Sequence, residues 1–302
     1  MPIDPSVAIG AALPDRTFSW TASDVLLYHL AIGAGSRPGD NLDAAALRYT
    51  YDGHASDGHS LQVLPSFGVV APSFHETEPP PVVFPGCELD LATVVHGSQE
   101  IRVHAPLPTS GTATLRTTIS DIWDKGTAAV IWQEGTATAE DGSTLWTVRS
   151  SIFARGEGGF GGSRGGSTSV PAPERAPDLD VIYAVTPQQA LLYRLCGDRN
   201  PLHASPAFAR SAGFPAPILH GLCTWGITLR EVTDGLLDGD ASRVAGWRAR
   251  FAGVVFPGES LRVRGWRTET DESTGIVVDA SISGGPRDGA PALADGLVEV
   301  RG

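Results

Sequence analysis

Asp198, Asn200 and His203 fall within one stretch of six residues, Asp198-Arg199-Asn200-Pro201-Leu202-His203, and His220-Gly221 follows where a long apolar run begins. A carboxylate and an imidazole can each take or give a proton near neutral pH, and an amide can orient water. A Gly at a helix start adds unpaired N–H groups and the positive end of the helix dipole, where negative charge on an oxygen is stabilised. The set suits a reaction that removes a proton from one atom, delivers one to another and passes through an oxyanion.

The neighbours of these residues supply rigidity. Asn200 precedes Pro201, which disfavours the helical region at Asn200 and keeps the chain extended there. Ser205-Pro206 reads as an N-cap followed by Pro at the first helical position, opening a short helix that ends at Gly213. The same rigid turn serves two purposes equally: an Asx turn and cap with a surface histidine, or a frame that lets a carboxylate and an imidazole reach one water. From Gly221 to about Leu237, Leu222, Trp225, Leu229, Val232 and Leu236 recur at spacings of three and four, one apolar stripe along a helix. The absence of charge before Arg230 predicts burial beyond that stripe, with the helix running through a curled sheet.

The sheet is legible in period-two runs. Residues 112–122, 128–139 and 144–153 alternate, with turns at Asp124-Lys125-Gly126 and Glu140-Asp141-Gly142, and predict an antiparallel meander. Residues 247–256, 260–270, 275–283 and 292–301 follow the second helix in the same manner. In the first half a short helix with Ser23-Asp24 as its cap stops at Gly33 and Gly35, Leu47–Tyr51 reads as a strand end, and residues 61–70 are apolar but broken by Pro65 and Gly68. Residues 89–95 fit a helix or a strand. Helix first, then antiparallel strands, twice over, predicts a duplicated α+β fold in which each sheet wraps its own helix. Between the halves, residues 156–178 are rich in Gly, Ser and Pro and read as a linker too poor in apolar surface to offset its own ordering entropy.

Composition bounds the partners. A chain of 302 residues with a formal charge of −12 is long enough for two domains and lacks the broad positive field that nucleic acid or an anionic membrane requires. Three cysteines, Cys87, Cys196 and Cys223, in no metal or disulfide spacing, read as reduced thiols. No secretory leader, no apolar run near the roughly 18 residues of a spanning helix and no C-terminal retention tripeptide is visible, so a cytoplasmic protein is expected. A single Lys, Lys125, beside many Arg and abundant Ala and Gly points to a GC-rich bacterial genome.

The element D-x-N-P-L-H, with the Gly of H-G-L-C eighteen residues after its His, resembles the signature of the MaoC-like dehydratases, the (R)-specific type-2 enoyl-CoA hydratases. The resemblance extends to residues 248–258 (RARFAGVVFPG), 28–35, 64–70 and His96-Gly97-Ser98-Gln99, and so covers both halves. It implies a double hot-dog: a degenerate first hot-dog over 1–155 that accommodates the acyl chain, the linker over 156–178, and a catalytic hot-dog over 179–302. It implies Asp198 and His203 as the catalytic pair, Asn200 as the residue that orients water or substrate, and the Gly221 N–H as an oxyanion donor. The implied reaction is hydration of trans-2-enoyl-CoA to (3R)-hydroxyacyl-CoA or its reverse, in a homodimer, with no cofactor other than the CoA of the substrate. Dehydration of an acyl-carrier-protein substrate, thioester hydrolysis and a non-catalytic acyl-CoA-binding subunit are alternatives on the same fold.

CoA is anionic, and between Arg243 and Arg267 the sequence sets six Arg against one acid, Glu259. Arg248 and Arg250 share one strand face and Arg262 and Arg264 another, which fits either a phosphate clamp or solvated sheet edges. Gly39-Asp40-Asn41 echoes the motif without a following Pro-x-His, so the first copy is expected to be inactive. His54, His59 and His75 lack compact metal spacing, and the glycines of 158–166 lack the Lys of a phosphate loop. No metal site is expected.

Overall fold

In the computed structural model of the chain, the described residues are 3–43, 45–53, 60–79, 84–89, 94–166, 169–269 and 274–301. The elements are α1 (Pro5–Ala8), β1 (Arg16–Trp20), α2 (Ala22–Ala31), α3 (Phe67–Val70), β2 (Val94–Val103), β3 (Gly111–Asp124), β4 (Ala128–Ala139), β5 (Thr144–Arg155), β6 (Leu179–Ala184), α4 (Gln189–Tyr193), α5 (Pro206–Ser211), α6 (Gly221–Leu236), β7 (Val244–Phe251), β8 (Ser260–Glu269), β9 (Thr274–Ser283) and β10 (Pro291–Val300), with short 3-10 turns between them. His54 and His59 lie outside the described residues.

The ten strands form one sheet in the order β1-β3-β4-β5-β2-β7-β10-β9-β8-β6. Read inward from either edge, the two halves have the same order, which is the duplication expected from the sequence. They are not two separate sheets. β2 and β7 pair antiparallel, Ser98 with Arg250 through Arg102 with Gly246, and join the halves edge to edge. The join pairs two strand edges that would otherwise be left open.

The halves differ in what fills their inner face. In the second half α6 packs on β6, β7, β8 and β10. Trp225 stacks on Trp247 with centroids 5.6 Å apart, and the Trp247 indole donates to the Trp225 carbonyl. Among the described residues of the first half no single helix takes this place. A side chain at Gly68 in α3 would meet Ile101 and Trp146, so the segment broken by Pro65 and Gly68 is what lies on the first-half strands. The longer α2 turns to the other half: Gly226 of α6 lies against Tyr28 and Ile32.

Several local expectations are corrected. The cap of α2 is Thr21, with Asp24 at the third helical position completing a capping box: the Thr21 N–H donates to the Asp24 carboxylate at 2.8 Å. Leu47–Tyr51 is no strand; Ala46–Tyr49 forms a 3-10 turn. Strands β1 and β6, unread in the sequence, close the two sheet edges. The described residues between β5 and β6 form no helix or strand, yet they are tied down. The Asp124 carboxylate accepts N–H groups from Gly126, Gly159 and Gly161 at 2.7–2.9 Å. Those bonds favour the charged form and hold that carboxyl at a pKa of about 2. A Gly/Ser composition describes a free chain, and here Asp124 holds its first part.

Candidate active site

The turn that carries Asp198, Asn200 and His203 runs from the end of α4 to α5, and each bend has a local cause. Gly197 adopts a left-handed φ of 105°, and a β-carbon there would collide with the Ser73 carbonyl oxygen. Only Gly fits both demands, and the contact seats the turn on the first half of the chain. The Asp198 side chain accepts the Asn200 N–H at 3.0 Å, and the Asn200 side-chain oxygen accepts the Leu202 N–H at 3.0 Å. Two successive Asx turns therefore set the spacing from carboxylate to imidazole, but the histidine they carry is buried and not on the surface as a plain turn-and-cap would have it. The Asn200 amide NH2 has no partner among the described residues and is free to bind water.

His203 is buried, 8% exposed. Its Nδ1 lies 2.9 Å from the Ile218 carbonyl oxygen, so Nδ1 carries the proton and Nε2 presents a bare lone pair. Burial lowers its pKa below the ordinary histidine value, and the nearby Asp198 charge opposes that shift. The neutral, base-competent form is thus the one favoured near pH 7. His220, 1% exposed, stacks on His203 with centroids 3.7 Å apart, and its Nε2 lies 3.3 Å from the Asp198 carbonyl oxygen. Burial, and then the neighbouring His203, drive its pKa well below the usual value.

His220 is also the N-cap residue of α6, with no side chain capping the helix. The N–H groups that open the helix at Gly221 are therefore unused, and they are the donors an oxyanion needs. The reason for Gly at 221 differs from close approach by substrate alone: a β-carbon would lie 3.1 Å from the Phe251 ring. On the other side of Phe251 is His96, ring centroids 4.6 Å apart. Burial pushes the His96 pKa down to about 4, and Asp198 is close enough to oppose it. His96-Gly97-Ser98-Gln99 resembles the family's sequence, but nothing in its spacing places it here; the β2–β7 join does.

Asp198, His203 and His220 each offer a ligand atom, all within 4.8 Å of one another. Their arrangement suits a metal poorly. The two imidazole planes are only 27° from parallel, so their in-plane lone pairs do not converge on one tetrahedral point.

Asp198, Asn200, His203 and Gly221 therefore form one centre, and Arg248 and Arg250 lie elsewhere. Trp247 and Ala249 are buried on the inner face and Phe251 packs half-buried against the same core, so by period two Arg248 and Arg250 project from the outer face. There they line a cleft of about 290 Å³ together with Lys125 and Arg149. Arg250 pairs with Asp295 at 2.7 Å, while Arg262 and Arg264 pair across strands with Asp180 and Asp279. Of the six Arg, Arg248 has no ion-pair or hydrogen-bond partner among the described residues. The cleft is close to the centre all the same. The strand registers put residues 94–98 of β2, 150–155 of β5, 128–133 of β4 and the end of β7 at one end of the sheet. His96 and Phe251 face inward there, and Gly97 and Arg250 line the outer cleft.

One continuous antiparallel sheet made of two like halves, with a helix on its inner face and an acid–imidazole turn at the helix start, is a double hot-dog. Comparison with known proteins agrees. Residues 168–283 match the MaoC like domain and residues 18–156 the MFE-2 hydratase 2 N-terminal domain. The chain is 55% identical to the enoyl-CoA hydratase ChsH3 of Mycobacterium tuberculosis over 97% of its length and 98% of that protein. It is 41% identical to the 3-hydroxyacyl-thioester dehydratase Y of the same organism, over 99% of each. Among solved structures, a MaoC-like dehydratase from Phytophthora capsici superposes with a TM-score of 0.85 at 27% identity, covering 99% of this chain and 98% of that one. The chain belongs to the MaoC-like dehydratase family, with an MFE-2-type hydratase 2 N-terminal half.

Proposed function

We propose that this chain catalyses the reversible hydration of trans-2-enoyl-CoA to (3R)-3-hydroxyacyl-CoA, as a hydro-lyase. The observation that carries the reading is a buried His203 whose Nδ1 is engaged by the Ile218 carbonyl so that Nε2 is left to act, set beside the Asp198 carboxylate and against the N-cap residue of the uncapped helix α6. Water held by Asp198, His203 and the Asn200 amide gives a proton to the pair as its oxygen bonds to C3. The pair returns a proton to C2, and the thioester oxygen carries the transient negative charge in front of the Gly221 N–H. The sum is H and OH added across one double bond, with no electron transferred to or from another group. Each proton transfer is typically worth about 100- to 10,000-fold. The relatives' names, an enoyl-CoA hydratase and a 3-hydroxyacyl-thioester dehydratase, describe the two directions of this reaction.

In this reading residues 1–155 accommodate the acyl chain, 156–178 connect the halves and 179–302 carry the chemistry. Tyr28 and Ile32 of the first half, lying on α6 behind the site, support that division. The nucleotide end of CoA goes to the outer cleft, where Arg248 and Arg250 meet Lys125 and Arg149. No cofactor is needed beyond the CoA of the substrate, so a chelator leaves the rate unchanged. A homodimer in a bacterial cytosol is the expected setting; among the described residues no helix is long and apolar enough to cross a membrane.

The test is incubation with a short trans-2-enoyl-CoA, following loss of the double bond, release of free thiol and the configuration of the product. Double-bond loss giving the (3R) product without thiol release is expected. Thiol release in step with substrate loss would show a thioesterase, and binding without turnover would show a non-catalytic acyl-CoA carrier.

A further inference from the structure

The described residues between β5 and β6, 156–166 and 169–178, reach the outer cleft from both ends, at Gly166 and Ser169, and are fastened on both sides of it. On one side Asp124 holds the N–H groups of Gly159 and Gly161, and Lys125 Nζ donates to the Arg164 carbonyl. The backbone at Gly165 lies against the Trp123 ring. On the other side the fastening is Asp295, which sits on a left-handed φ of 56° where β10 changes register. Its Oδ1 accepts the Val170 N–H at 3.1 Å and the Ser169 hydroxyl at 3.3 Å, and its Oδ2 accepts Arg250 Nε at 2.7 Å. One carboxylate thus ties the connecting segment to an arginine of the cleft, and Gly166 and Ser169 line that cleft beside Arg248 and Arg250.

We propose that residues 159–166 and 169–170 are the roof of a site for the phosphates of a nucleotide, and that Asp295 is the positioning residue that holds roof and Arg250 in register. The proposal rests on the hydratase reading and on the assignment of the nucleotide end of CoA to this cleft. A bound phosphate finds Arg248 unpaired and Lys125 and Arg149 on the cleft wall, while Asp295, which lines the same cleft, fixes the Arg250 guanidinium. The roof orders around the phosphates and away from the reacting carbon. Its loss therefore weakens capture of the CoA thioester and leaves the chemical step alone.

The experiment compares a short trans-2-enoyl-CoA with the same acyl group on pantetheine, which lacks the nucleotide. Asp295→Asn keeps the side-chain shape and removes its charge. It is expected to raise KM for the CoA thioester about 5- to 10-fold relative to the pantetheine thioester, the scale of one charge-assisted contact, with kcat for the CoA thioester within about twofold of wild type. A second measurement needs no turnover: in the wild-type chain, tryptic cleavage after Arg164 in the roof is expected to slow in saturating adenosine 3′,5′-bisphosphate. Equal changes in KM for both thioesters, no change for either, or no protection of Arg164 would each overturn the roof. If neither thioester is turned over by the wild-type chain, the hydratase reading fails, and Arg164 protection still decides the roof by itself.

Discussion

Replacing Asp198 by Asn isolates the charge of the acid from its geometry. Asn retains a side-chain oxygen that can accept the Asn200 N–H, which lies 3.0 Å from the Asp198 carboxylate, so the paired Asx turns survive. What is lost is a negative charge whose oxygen lies within 4.8 Å of an imidazole nitrogen. At that distance and an effective dielectric of about 20, the attraction to an imidazolium forming in the transition state is roughly 3.5 kcal/mol. By transition-state arithmetic that is about a 300-fold fall in kcat, inside the range of a single proton-transfer contribution. The pH profile moves in a definite direction as well. Burial lowers the His203 pKa and the Asp198 charge opposes it, so removing the charge lowers it further. The acid limb of kcat/KM then shifts to lower pH in the variant. The assay is loss of the conjugated double bond of a short trans-2-enoyl-CoA from pH 5 to 8, at saturating substrate for kcat and well below KM for kcat/KM, with thermal unfolding as the check on folding. A folded variant within about threefold of wild-type kcat, or an acid limb displaced to higher pH, would refute the reasoning.

Three further outcomes follow from the same geometry. Gly221→Ala presses a β-carbon on the Phe251 ring, 3.1 Å away, and should lower kcat/KM roughly 10- to 100-fold by displacing one oxyanion donor, with partial recovery on adding Phe251→Leu; steady-state kinetics of the single and double variants decide it. Glu231, 2% exposed between Arg230 at 2.7 Å and Arg37 at 2.5 Å, balances a buried guanidinium, so Glu231→Gln should cost about 3–5 kcal/mol in urea unfolding, and a loss under about 1 kcal/mol would show that the pair is dispensable. His29 and His96 are held near a pKa of about 4 by burial, and His203 and His220 are lowered too. Below about pH 6.5 the unfolded chain binds protons that the folded one refuses, so stability is full above that pH and falls toward pH 4, by up to about 1.4 kcal/mol per imidazole per pH unit. A urea midpoint constant from pH 7 to pH 5 would contradict this.

Much of the fold is legible in the sequence because its period is local. The meander strands and α6 fall within a few residues of their expected bounds, since alternation and a three-four stripe record which face is buried. β6, Leu179–Ala184, carries the same alternation, with Leu179 and Tyr183 buried and Asp180 and Ala184 exposed; six residues beside a Gly/Pro-rich stretch are too short a signal to stand alone. The cap of α2 lies two residues before the expected Ser23 because Ser and Thr are chemically alike as caps. Only the Asp24 side chain, folded back to Thr21, distinguishes them.

The sequence by itself determined the local spacing of acid, amide and imidazole. D-x-N-P-L-H fixes the carboxylate-to-imidazole spacing through hydrogen bonds two residues long, and such bonds need no distant partner. Tertiary structure alone decided which contacts surround that pair. The β2–β7 join carries His96 to Phe251, the stack of His220 on His203 spans a connection of many residues, and Arg248 and Arg250 fall on the outer face because a strand turns alternate side chains to opposite sides. The segment from 156 onward shows the difference most plainly. Its composition describes a chain with little to bury, and it is ordered by Asp124 and Asp295, whose carboxylates meet it only once the sheet has formed.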